Sequence, residues 1–130
     1  MDKQEHISFW VNSAKSDWKI AQKLFRSKDY LYALFFAHLV LEKLCKAHWI
    51  NDNAENVPPK NHNLNKLVAQ TKLELTEDEL VFLAEMNRFQ LEGRYQDYVS
   101  EKRSVVNQKI TSEYFNRCKQ IQKKLLALLP

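Results

Sequence analysis

One glycine, Gly93, and two internal prolines, Pro58 and Pro59, are all the strong backbone punctuation this 130-residue chain contains; a third proline, Pro130, is its last residue. Strand reversals draw heavily on glycine and proline, because both set backbone angles that other residues reach only at a cost. A chain so poor in them is not an all-β fold. It is expected to be all-α, a few long helices with few connections. With 45% hydrophobic and 28% charged residues, residues 1–130 suffice for one domain around a real core.

Hydrophobic spacing predicts about five helices in an up-and-down bundle. The first runs from about Lys3 to Ser27, with Ile7, Trp10, Val11, Ala14, Trp18, Ala21 and Phe25 on one face. Asp29 is placed to cap a second helix, about Tyr30 to Trp49, which is apolar around so much of its circumference that it belongs at the centre of the bundle. The polar stretch from Asn51 to Lys60, closed by Pro58 and Pro59, reads as a loop. A short third helix follows over His62–Gln70, capped by His62 or Asn63. Thr76 and Glu79 form the capping-box pattern of a fourth helix, which ends near Phe89. Gln90–Tyr98 reads as an irregular loop around Gly93, and a last helix spans about Thr111 to Leu129.

Several function classes are disfavoured. Met1–His6 leads into a polar amphipathic segment rather than a secretory leader, and Glu42 and Lys43 interrupt the longest apolar run, so a cytoplasmic protein without a membrane span is expected. Cys45 and Cys118 stand far apart on apolar faces, outside any C-x-x-C pair, and read as buried free thiols. No metal or cofactor is called for: glycine-rich phosphate loops, G-x-S-x-G, H-E-x-x-H and paired aspartates are all missing. The net charge of +4 and pI near 9.0 permit a nucleotide or nucleic-acid partner without demanding one.

Three places carry polar residues that a bundle does not require. His38 and Glu42 share a helical face, Lys46 extends the line by another turn, and Lys43 flanks it. A carboxylate there can orient an imidazole for proton transfer; the plainer reading is a core histidine bonded to Glu42, with both lysines reaching for water. His62 follows the Pro-Pro loop and can cap a helix or face a cleft. Arg94, Tyr95 and Asp97 adjoin Gly93: the arginine supplies a fork for phosphate or carboxylate, the tyrosine a stacking face, and the aspartate an orienting partner for the arginine.

In order and spacing these elements resemble the HEPN domain (higher eukaryotes and prokaryotes nucleotide-binding). The run Tyr30–Ala47 is similar to the family's aromatic-alanine helix ending in Glu-Lys-x-x-Lys-Ala. Pro58–Leu64 resembles its proline loop and His-x-Leu helix start, and Gly93-Arg94-Tyr95 its Ala-Arg-Tyr-Pro loop, with Gly93 in place of the alanine and Gln96 in place of the proline. The resemblance implies an up-and-down helical bundle that forms homodimers. It implies pairing with a small nucleotidyltransferase, as in toxin–antitoxin-like modules, and a ligand- or nucleotide-binding cleft built from His38, Glu42, Lys43, Lys46, His62, Arg94, Tyr95 and Asp97. Other family members are ribonucleases that use an arginine followed four to six residues later by a histidine. No arginine of this chain has one. A non-catalytic binding subunit is therefore the leading expectation. A divergent ribonuclease toxin relying on His38 or His62, and a pure protein-interaction module, are the alternatives.

Overall fold

The computed structural model describes residues 1–94 and 106–130 as five helices: α1 (Lys3–Arg26), α2 (Tyr30–Asp52), α3 (Leu64–Val68), α4 (Glu77–Arg94) and α5 (Gln108–Ala127). Among the described residues there is no strand. The expected five-helix all-α architecture is the one observed.

Helix ends follow local chemistry. The Asp2 carboxylate accepts from the Glu5 amide at 2.8 Å and the Glu5 carboxylate accepts from the Asp2 amide, a reciprocal capping box. At the other end of α1 the Asp29 amide donates to the Leu24 carbonyl and the Lys28 amide to the Phe25 carbonyl. These are the two bonds of a Schellman stop, with Lys28 at φ 65° in the left-handed position. This stop turns α1 tightly into α2. Asp29 occupies the N-cap position of α2, but its side chain makes no capping bond, contrary to the expectation. The Thr76–Glu79 box forms as anticipated, and Asn63 rather than His62 caps α3.

α2 packs against α1, α3, α4 and α5. Leu34, Leu41, Leu44 and Cys45 are fully covered, and Leu64, Leu67, Phe82, Leu83, Met86, Phe89 and Leu125 close around them. Each such side chain contributes roughly 1.5–3 kcal/mol through burial. Phe115 joins α5 to α1 by lying 4.9 Å from Trp18 and 5.2 Å from Phe25, centroid to centroid. Cys45 and Cys118 are buried free thiols, and burial raises both, Cys45 to about 12.

The Gly93 region departs from its expected form. Gln90–Arg94 is helical, the last turns of α4, not a loop. Gly93 serves close approach: a Cβ built there would stand 2.6 Å from the Phe35 Cβ of α2. The far end of the Phe35 ring can swing aside, but its Cβ is fixed to the backbone. Gly93→Ala should therefore destabilise by about 1–3 kcal/mol, although alanine in an unconstrained helix gains about 1 kcal/mol over glycine. Thermal unfolding checks this; a melting temperature equal to or above that of the wild type would mean the helices are not pressed together here.

Candidate functional site

The side chain of Glu42, 5% exposed, is the hub of the polar line on α2. Its Oε2 accepts from the Lys46 ammonium at 3.0 Å, and its Oε1 accepts from His62 Nδ1–H, also at 3.0 Å. The Lys46 side chain does not reach for water: it folds back along the helix, with Nζ 5.3 Å from the centroid of the Trp10 ring on α1. Lys43 points elsewhere, pairing with Asp17 at 2.6 Å and donating to the Ser13 hydroxyl at 2.7 Å. Both lysines thus compensate carboxylates along the α1–α2 contact.

His38 lies beneath, completely covered. Its Nδ1 is 3.9 Å from Glu42 Oε1, too far for the hydrogen bond expected from their spacing. Its partner is Asn87 on α4, whose Oδ1 lies 3.4 Å from His38 Nε2 and also accepts the Leu64 amide at 2.9 Å. The Asn87 amide nitrogen donates to the side-chain oxygens of Asn63 and Asn65, which fixes which way the group faces. His38 therefore carries its proton on Nε2 and leaves Nδ1 bare. Burial holds its pKa down at about 4, with Glu42 pulling only partly the other way. At neutral pH it is an uncharged core residue.

His62 caps no helix. It closes over Glu42 from the segment leading into α3, with its side chain 45% exposed. Because Nδ1–H is committed to Glu42, Nε2 is the ring nitrogen left to hydrogen-bond a ligand. Arg94, at the exposed end of α4, sets its guanidinium 5.6 Å from the Phe35 ring centroid. Tyr95 and Asp97 lie outside the described residues.

The fold therefore brings together His38, Glu42, Lys46 and His62, and turns Lys43 to a separate pair. Asn87 and Trp10 complete the cluster without having been singled out as site residues. The clue to Asn87 was its register: it stands four residues after buried Leu83 and next to buried Met86, where a polar side chain needs a partner. His48, within the same apolar run, donates from Nε2 to the Leu125 carbonyl at 2.7 Å and ties α2 to α5; its pKa is lowered by burial. Among the described residues no three His, Cys, Asp or Glu side chains converge to hold a metal ion, and no helix is long and apolar enough to cross a membrane.

A buried carboxylate bridged by lysine and histidine thus lies on the central aromatic helix, and a proline-closed segment follows that helix. The HEPN domain matches residues 7–129, and the chain belongs to that family. Its fold is that of the crystal structure of TT1696 from Thermus thermophilus, with a TM-score of 0.77 over 95% of this chain and 98% of that one. Identity to TT1696 is 17%, so this likeness concerns the fold alone. No curated protein sequence matches the chain.

Proposed function

We propose that the chain is a non-catalytic HEPN subunit that forms a homodimer and binds a nucleotide, or presents a substrate, for a separate minimal nucleotidyltransferase in a toxin–antitoxin-like module. One observation carries this reading: both oxygens of Glu42 are taken by side chains of the same chain. The polar line on α2 is thereby a closed support, not a free acid–base pair. Its service to function is to hold the half-exposed His62 ring in place and to shape the cleft beside it. Arg94 supplies the fork for phosphate, pre-oriented by Phe35. In this proposal Tyr95 stacks on a base and Asp97 orients Arg94. Calorimetric titration with a panel of nucleoside mono-, di- and triphosphates, alone and with a minimal nucleotidyltransferase of the proposed kind, tests it. Saturable binding in at least one arrangement is expected; none in either would refute it.

One observation favours a second reading. A carboxylate accepting from Nδ1–H of a half-exposed imidazole is also how such a ring is oriented as a general base. On this reading the chain is a divergent ribonuclease in which His62 replaces the missing histidine. Growth arrest on expression, relieved by His62→Ala, would support it; intact cellular RNA in the expressing cells would count against it.

A further inference from the structure

At the C-terminal end of α2, two turns beyond Glu42, a lysine from another helix is surrounded by oxygen. The Lys3 ammonium donates to the carbonyls of Ile50 at 2.8 Å, Asn53 at 2.9 Å and Glu55 at 3.4 Å, and to the amide oxygen of Asn56 at 2.9 Å. An ammonium has three protons. Four oxygens around it resemble the coordination of a spherical cation more than a set of separate bonds. The oxygens come from the end of α2 and the irregular chain just after it, where helix carbonyls lack intrahelical partners and the helix dipole is negative. All four are neutral, so the cradle suits a single positive charge.

We propose that this end of α2 is a binding site for a primary ammonium and that Lys3 is its built-in occupant, a strap joining the start of α1 to residues 53–56. The far side of Asn53 is held as well, its amide donating to the Trp49 and Gln70 carbonyls. With Pro58 buried a few residues on, the strap fixes the path by which the chain carries His62 to Glu42. The proposal is independent of any nucleotide reading.

If the cradle is a cation site, a free cation of the right shape should refill it once the tether is cut. In the full chain, Lys3→Ala should lower the melting temperature by about 5–10 °C, as expected for losing hydrogen bonds to a charged group in a domain of this size. Exchanging sodium chloride for methylammonium chloride at constant ionic strength should restore at least half of that loss. Tetramethylammonium, which has no N–H and is too bulky, should restore none. Lys3→Met keeps the aliphatic stem in the entry path and should be as unstable as Lys3→Ala but unresponsive to methylammonium. A Lys3→Ala variant as stable as the wild type, or equal recovery with both cations, overturns the proposal. The wild-type protein offers a check that needs no variant to fold: the Lys3 ¹⁵Nζ ammonium signal should show hydrogen exchange slowed at least tenfold relative to exposed lysines. Exchange as fast as theirs overturns it too.

Discussion

Replacing Glu42 with alanine should cost the fold about 3–5 kcal/mol, the usual loss when one partner of a buried ion pair is removed. Lys46, with 8% of its side chain exposed, would be left with its charge in the α1–α2 contact, beside the Trp10 ring and without its carboxylate. His62 would lose the acceptor that draws the 53–63 segment onto α2. The effect belongs to the unpaired charge, so removing the charge as well should reverse much of it: Glu42→Ala with Lys46→Met is expected to recover more than half of the lost stability. Urea unfolding of the single and double variants measures both numbers. A Glu42→Ala variant within about 0.5 kcal/mol of the wild type, the ordinary range for a surface substitution, would show that Glu42 is not the hub described.

Acid should unfold the protein earlier than its carboxylates alone require. The folded-state pKa of His38 is depressed from 6.5 to about 4 by burial, so the unfolded chain takes up the proton first as pH falls. Its contribution to stability is therefore full above about pH 6.5 and is lost between there and about pH 4. A shift of this size corresponds to about 3 kcal/mol, of which about 2 kcal/mol should disappear by pH 5, before most carboxylates titrate. His48 is depressed in the same direction and adds to the loss. Unfolding free energies measured from pH 7.5 to 5 should fall with a slope of between one and two protons. His38→Gln should make that slope shallower by about one proton. A flat profile over this range would mean that His38 is solvated or already protonated in the folded chain.

The helices were legible because their causes are local. Capping residues, the apolar stripe of α1 and the all-round apolarity of α2 can each be read within a few turns of chain. Gly93 was misread because a glycine serves a turn or a close approach equally well, and only the position of Phe35 decides between them. The third helix is shorter at both ends than the expected His62–Gln70, and of its two candidate caps Asn63 is the one used.

The site was half legible. The i, i+4 spacing placed His38, Glu42 and Lys46 on one line, and the Glu42–Lys46 bond follows directly from it. The same spacing suggested a His38–Glu42 bond that does not form, because the imidazole turns to Asn87 on α4. Asn87, Trp10 and the closure of His62 over Glu42 depend on how α1, α4 and the 53–63 segment meet α2. No periodicity within one segment encodes such a meeting. Lys43, which flanks that line in sequence, lies a rotation of three residues around the helix from Lys46 and pairs with a different carboxylate, Asp17.

In the proposed function, the closed Glu42 cluster supports a binding surface that includes His62 and Arg94. The test is to follow the ¹⁵N-labelled protein by NMR during titration with the nucleotide that calorimetry ranks first, with the proposed nucleotidyltransferase partner present if binding requires it. Saturable shifts are expected at the His62 ring and the Arg94 guanidinium, while His38 and the Lys46 ammonium hardly move. Binding that leaves both His62 and Arg94 unchanged, or that titrates His38 and breaks the Glu42–Lys46 pair, would contradict it.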